Sequence, residues 1–376
     1  MARQLTAYPA YGYRDKQDAG YWVVQLRVWV FKPRDFVVDD LAVELFERKL
    51  DAEFTPAERE MLKGRIANFI ADDDSFERVE FWFEGDEQTV HRFEERTDSN
   101  GLVEQTFRFP ADKLEPLRGA GGWLTYVARS NDAEARGRVR LLEPEGVSIV
   151  SDIDDTIKVT NVPAGTETVL RRSFLMDFEA ASYTYKAEGK EAAKRQMREL
   201  YWELHAQHAA EDVSFHYVSG SPWQLFKLLD DFLVRRADGF PEGTFHMKSL
   251  RKNLTDPDTW ADLFGLAQGK KATLEQKIRQ ITELMYNLPR RRFILIGDSG
   301  EMDPEVFLAM HRMFPDRVAR IIIRDVVGER LKHPKIEVLP GDTVRYDTRK
   351  VLKKIIREMA LDIKLEQAEE KPQTEG

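Results

Sequence analysis

The chain contains no cysteine, which excludes thiolate nucleophiles, thiolate-ligated zinc and disulfide crosslinks, and leaves the redox compartment undetermined. Long apolar runs are missing too. The most apolar stretches, Tyr21 to Phe31 and Ile321 to Ile323, fall far short of the ~20 residues needed to cross a bilayer, so any membrane contact would be peripheral. The N-terminal stretch MARQLTAYPAYGYRDKQDAG has no apolar h-region; this excludes a secretory signal there, and the expected location is the cytoplasm. Positive charge is in deficit: 57 Lys and Arg against 66 Asp and Glu leave a net charge of −9. That balance argues against a general nucleic-acid binder, whose affinity rests on clustered cations.

What remains is a chain able to fold. Its 376 residues are 42% hydrophobic and 11% aromatic, enough for two sizeable cores. From Tyr21, WVVQLRVWVF alternates apolar and polar residues as a half-buried strand does. Similar strands are expected over Arg78 to Phe83, Gly101 to Phe109, Gly122 to Arg129 and Arg136 to Leu142, with turn chemistry between them. Residues 1–143 therefore read as an antiparallel β-sandwich domain with helical insertions. One helix spans roughly Asp40 to Leu50. The second is opened by Thr55-Pro56-Ala57-Glu58, a capping box with proline in the first turn, and runs to about Ala71.

Glu143-Pro144-Glu145-Gly146 breaks this pattern. Beyond it, short continuous apolar runs at Val147 to Val150, Val213 to Val218, Phe293 to Ile296 and Ala319 to Ile323 alternate with amphipathic stretches. Strands of that kind are buried on both faces, as in a parallel sheet covered by helices. Residues 144–345 thus read as an α/β domain. The excess of chain over Ile157 to Asp212 implies a small cap insertion. Thr348 to Ile363 reads as a last helix, within a C-terminal segment of 346–376 that ends in a charged, disordered tail.

Three of these buried strands end in polar residues. Ile149-Val150 runs into Ser151-Asp152-Ile153-Asp154-Asp155-Thr156. Phe215-His216-Tyr217-Val218 runs into Ser219-Gly220-Ser221-Pro222, and Phe293-Ile294-Leu295-Ile296 into Gly297-Asp298-Ser299-Gly300-Glu301-Met302-Asp303. The carboxyl ends of parallel strands are where ligands bind. Acids crowded there repel one another unless a hard cation such as Mg²⁺ shares them, and a hydroxyl with free N–H groups can hold a phosphate oxygen. A calcium-loop reading of the first cluster fails, because Ile157 stands where the loop's glycine belongs and Pro163 where its bidentate glutamate belongs.

The spacing D-x-D-x-T, a strand ending in Ser, a Lys, and G-D-x-x-x-x-D resembles the four signature motifs of the haloacid dehalogenase (HAD) superfamily. More closely, SDIDDTIKVTNV, FHYVSGSPWQL and FILIGDSGEMDPEVF resemble the catalytic domain of the actin-patch-protein type of phosphatidate phosphatase. The likeness covers Gly146 to Asp325, and the N-terminal part only in outline. It implies a HAD-like doubly wound sheet and Mg²⁺-dependent phosphomonoester hydrolysis, with phosphatidate as substrate and diacylglycerol as product. It makes Asp152 the nucleophile and Asp154 the general acid and base. Thr156, Ser219, Gly220 and Lys277 would hold the phosphate, and Asp152, the Asp154 carbonyl, Asp298 and Asp303 the metal. Lys270 and Lys271 compete for the lysine role, with Lys271 the alternative to Lys277; Asp155 is expected to support the turn.

Other features have ordinary explanations. Arg171 to Phe178 mixes cations with large apolar groups, suited either to an anionic lipid or to a helix with one buried face. Arg290-Arg291-Arg292 is expected to place cations at a helix end. Trp223 fits a pocket mouth or a core. Two rival functions stay open: the same chemistry on a soluble phosphoester, a phosphoprotein or a nucleic-acid end, and a non-catalytic Mg²⁺-binding adaptor. Oligomeric state is not set by the sequence.

Overall fold

Alternation along β3 (Tyr21–Lys32) buries Trp22, Val24, Leu26, Val28 and Val30 on one face. In this computed structural model, which describes residues 2–33, 37–186, 191–210, 212–248, 270–328 and 335–340, β3 is the strand around which the first unit forms. One edge of β3 pairs with β1 (Gln4–Ala7) and β2 (Ala10–Arg14), the other with β4 (Asp72–Asp73) and β7 (Leu102–Pro110). From β2 the sheet continues through β9 (Ala133–Leu142), β8 (Trp123–Ser130), β5 (Glu80–Phe83) and β6 (His91–Arg92). Every pairing is antiparallel except β2 with β9.

Hydrogen bonds link all nine strands through β2, which pairs with both β3 and β9. Side chains from the two ends of this strand order face one another. Phe107 and Phe109 of β7 pack against Phe81, Phe83 and Phe93 from the far end, with ring centroids 4.9 Å apart for Phe81–Phe107 and 5.4 Å for Phe83–Phe109. Across the remaining gap, the Gln105 side chain accepts a 2.7 Å hydrogen bond from the Glu94 N–H.

The helical insertion is α1 (Val37–Leu50) and α2 (Pro56–Ile70), and the capping box at Thr55 and Glu58 is formed. The buried residues of these helices join one core with Trp29 and Phe31 of β3 and with the second unit. Phe46 and Phe69 pack on Phe174, 5.4 and 5.8 Å between centroids, while Arg65 donates to the Ser173 carbonyl and Asn68 to that of Gln224. The insertion thus braces the second unit. A short α3 (Ala111–Leu114) follows β7.

The second unit is a parallel sheet ordered β14 (Gly243–Lys248), β13 (Val213–Pro222), β10 (Val147–Asp152), β15 (Arg292–Asp298), β16 (Val318–Asp325), β17 (Ile336–Pro340). Counted within the unit this is 3-2-1-4-5-6, the doubly wound order, whose switch point lies beside its first strand. Side chains alternate between two cores. Ile149, Ile294, Ile296 and Ile322 join α5 (Met197–Ala206), α6 (Phe226–Asp230) and the α1–α2 pair. Val150, Phe293, Leu295, Ile321 and Ile323 join α7 (Lys270–Asn287) and α8 (Asp303–Met313). Each such buried side chain contributes about 1.5–3 kcal/mol.

The excess chain after β10 holds α4 (Thr166–Leu170), a hairpin of β11 (Ser182–Tyr185) and β12 (Ala193–Gln196), and α5. Arg324 of β16 donates to Ser182 O at 2.8 Å and so ties the hairpin to the sheet's carboxyl edge. The helix expected over Thr348 to Ile363, and the tail after it, lie outside the described residues.

Arg291 departs from the helix-end role expected of the arginine run. It is fully buried and donates to the carbonyls of Glu143 (3.0 Å), Glu145 (2.5 Å), Val147 (2.8 Å) and Asp212 (2.6 Å). It therefore fastens the junction of the two units at the sheet's amino edge, opposite the polar strand ends. Trp223 is buried, its ring tilted by 56° to that of Tyr8 with centroids 4.5 Å apart.

His216 on β13 is buried between Ser214 (3.1 Å) and Thr244 (2.8 Å). Burial, then His246, Arg291 and Arg140, push its pKa well below that of a free histidine, and burial lowers His246 to about 4. A histidine kept neutral in the fold but free to protonate near pH 6.5 when unfolded contributes fully above that pH and progressively less below it. The urea midpoint of the wild type should therefore fall more between pH 7 and pH 5 than that of His216→Gln. Equal slopes for the two proteins would remove His216 from the acid response.

Candidate active site

Register brings the polar strand ends to one edge. Asp152 pairs with Val218, immediately before Ser219; Ser151 pairs with Ile296, immediately before Gly297; and Asp298 pairs with Arg324. The site therefore lies at the switch point where an open parallel sheet leaves a crevice.

Two clusters form there. In the first, Lys277 reaches up from α7 with its ammonium 2.7 Å from Asp152 Oδ1, 2.8 Å from Glu301 Oε2 and 2.8 Å from Asp303 Oδ1. Thr156 donates to the other oxygen of Asp152 at 3.1 Å. Asp298 accepts from the N–H groups of Gly300 (2.6 Å) and Glu301 (3.2 Å) through Oδ1, while its Oδ2 is buried without a hydrogen-bond partner. Asp303 Oδ2 accepts from Asp298 N–H at 3.2 Å. Gly297 permits this packing, since a Cβ there would lie 2.3 Å from Asp303 Oδ2.

Three carboxylates thus share one ammonium, with Asp298 beside them. Burial, reinforced by the neighbouring acids, pushes Asp152 and Asp298 far above the usual carboxylate range, and Lys277 moderates the shift at Asp152. Burial also raises Glu301. For Lys277 burial works the other way but is outweighed by Asp152, Asp303 and Glu301, which hold it protonated. One oxygen each of Asp152, Asp298 and Glu301 lies within 4.8 Å of the others. Three converging carboxylate oxygens, one unpartnered, in a cluster short of positive charge fit a hard divalent cation with oxygen ligands.

The second cluster is built on Asp154. Its Oδ1 takes Lys158 at 2.9 Å and the Thr160 hydroxyl at 2.7 Å; its Oδ2 takes the hydroxyls of Ser221 (3.0 Å) and Ser219 (3.3 Å). Burial opposes ionisation, but Lys158 and these hydroxyl donors prevail and lower the pKa to about 2. Asp155 faces elsewhere. At φ +57° it accepts from the N–H groups of Thr160, Asn161 and Val162 and closes the loop, the turn support expected of it.

The structure brings together Asp152, Asp154, Thr156, Ser219, Lys277, Asp298 and Asp303, with Gly220 between the two serines. The side chain of Lys271, the alternative lysine, lies outside the described residues. Asp303, expected beside the metal, has its oxygens engaged by Lys277 and Asp298 N–H, and Glu301 lies with Asp152 and Asp298. Glu301 went unnoticed because it sits in a loop rich in acids. Lys158, Thr160 and Ser221 were also missed. Their signal was present in the spacing Asp154-x-x-x-Lys158, with lysine continuing the apolar-flanked loop into a buried position.

Fold and site together define a doubly wound α/β unit carrying a lysine-braced acidic centre at its switch point. Residues 147–325 match the family described as the catalytic domain of phosphatidate phosphatase APP1, which bears out the motif resemblance over that stretch. Phosphatidate phosphatase APP1 of Saccharomyces cerevisiae is 30% identical over 183 residues, covering 49% of this chain and 26% of that protein. An uncharacterised Schizosaccharomyces pombe protein is 31% identical over 193 residues, covering 51% and 27%. The chain spans about a quarter of the length of these curated relatives. Among solved structures, a carbohydrate acetylesterase from Xanthomonas citri aligns at 13% identity over 78% of this chain and 70% of that one, with a TM-score of 0.23 that carries no argument. Among the described residues, no helix is long and apolar enough to cross a membrane.

Proposed function

We propose that this chain is a Mg²⁺-dependent HAD-type phosphatase that hydrolyses a phosphomonoester through an aspartyl-phosphate on Asp152, with phosphatidate as its substrate. The observation that carries this reading is the convergence of Asp152, Asp298 and Glu301 beside Lys277, with Asp154 and Ser219 at the same edge. The family match over 147–325 supplies the substrate class.

Lys277 and Thr156 hold the two oxygens of Asp152, so its carboxylate is oriented for attack on phosphorus. As the new Asp152 oxygen–phosphorus bond forms and the ester P–O bond breaks, Asp154 gives a proton to the leaving oxygen. Asp154 is ionised in the free protein; the approaching phosphate dianion raises its proton affinity, and Asp154 takes up from solvent, as the substrate binds, the proton it then transfers. Water then attacks phosphorus and loses a proton to Asp154, and the bond to Asp152 breaks, which restores the carboxylate. Ser219 and the Gly220 N–H hold phosphoryl oxygens. Asp152, Asp298 and Glu301 would hold Mg²⁺, supported by the Asp154 carbonyl and Asp303, and the ion would neutralise carboxylate and phosphoryl charge.

Phosphatidate resides in a lipid surface, so the reading places the protein in the cytoplasm with peripheral membrane contact. Arg171 and Arg172 beside the exposed Met176 are the expected approach.

Phosphate release from phosphatidate in detergent micelles should require Mg²⁺ and fall by roughly 10²–10³-fold in EDTA. Saturating Mg²⁺ should raise the melting temperature by roughly 5–10 °C as it relieves carboxylate repulsion. Turnover of small soluble esters with none of phosphatidate would remove the lipid assignment; a melting response with no turnover at all would leave the adaptor.

A further inference from the structure

The phosphatase reading uses one lysine, and the structure contains a second buried beside the same acids. Lys158 is 2% exposed, and its ammonium touches Asp154 Oδ1 (2.9 Å) and the Thr160 hydroxyl (2.7 Å). It also lies 4.8 Å from the centroid of the Phe178 ring. Arg65 of α2 lies 4.5 Å from the centroid of that same ring and holds the Ser173 carbonyl at 2.9 Å. A buried ammonium facing a carboxylate and an aromatic ring has little freedom. Its seat is built partly by the helices inserted in the N-terminal unit.

The two oxygens of Asp154 are therefore unlike. Oδ1 is tied down by Lys158 and Thr160, while Oδ2 accepts from the hydroxyls of Ser219 and Ser221 at the strand end. We infer that Lys158 is a positioning residue that anchors Asp154 by Oδ1 so that Oδ2 alone meets the leaving group and the water, and that Phe178 and Arg65 keep this anchor in place. The inference rests on the phosphatase reading and adds a residue to it. The partners of Lys158 are Asp154, Thr160 and Phe178, none of them the nucleophile.

A misaimed proton donor matters most when the leaving oxygen is basic. With Lys158→Met, kcat on phosphatidate in detergent micelles should fall roughly 10–100-fold with KM changed by less than about 3-fold. First-turnover release of p-nitrophenolate from p-nitrophenyl phosphate, whose leaving group needs no proton, should stay within about 3-fold of wild type. If Lys158→Met melts far below the wild type, Thr160→Val, which removes the other Oδ1 partner, should show the same split between the two esters in weaker form. Equal losses on both esters, or no loss on either, in a folded variant would overturn the positioning role. A wild-type chain that releases phosphate from neither ester would overturn the phosphatase reading as well.

Discussion

Asp152→Asn should lower phosphate release by at least about 10³-fold and, in the same protein, raise the melting temperature of the metal-free chain. The two effects have one cause. Asp152 is 2% exposed, and its pKa is driven up by burial and by Asp303, Glu301 and Asp154. The folded protein therefore bears the strain of a buried, crowded carboxylate. An amide of the same shape relieves repulsion among the four acids but cannot attack phosphorus, and it weakens one of the three oxygens offered to a cation. The gain in melting temperature on adding Mg²⁺ should shrink accordingly. Residual activity above a tenth of the wild type would exclude Asp152 as the nucleophile. An unchanged Mg²⁺ response would exclude it from the cation site.

Lys277→Met should be the most damaging single change to stability in the site. The lysine is 2% exposed and supplies the cluster's ammonium, in contact with Asp152, Glu301 and Asp303. Removing one partner of a buried charge group leaves the others uncompensated, which costs roughly 3–5 kcal/mol. A lysine on a solvated helix face would cost under about 0.5 kcal/mol, so a urea midpoint separates the two cases directly. Part of the loss should return with Mg²⁺, because the ion replaces missing positive charge. Activity should still fall by roughly 10²–10³-fold, since the group that pairs with the Asp152 carboxylate and the phosphoryl oxygens is gone. A variant as stable as the wild type without metal would mean that Lys277 is not what balances these acids.

The site was legible to the extent that its residues sit at strand ends. A continuous apolar run followed by carboxylates or hydroxyls announces Asp152, Ser219 and Asp298, because a parallel strand has only one polar exit. Lys277 was harder, since an amphipathic helix with several lysines does not say which one turns inward; only its place relative to Phe293 in the family pattern selected it. Glu301 and Lys158 looked like loop charges, and only burial distinguishes them. Asp303 was legible as an acid of the motif, but not as the partner of Lys277 and Asp298 N–H that it proves to be.

In the N-terminal unit, alternation identified the strands β3, β5, β7, β8 and β9, and the capping box at Thr55 and Glu58 placed α2. Nothing local could show which strands pair, because alternation buries every second residue whatever the partner. Nor could it show that α1 and α2 reach across to pack on Phe174. The run Arg290 to Arg292 shows the same limit, with Arg291 spending every donor on main-chain carbonyls and hydroxyls at the junction of the two units.

By itself, then, the sequence determined the alternating strands, the buried apolar runs and the acids at their ends, since these follow from periodicity and from residue chemistry within a few positions. Tertiary structure alone decided which acids share a lysine, which carboxylate oxygen stays unpartnered, and how the inserted helices reach the ring beneath Lys158. Those outcomes depend on contacts between segments far apart in the chain, where burial sets the strength of a charge and register sets its neighbours.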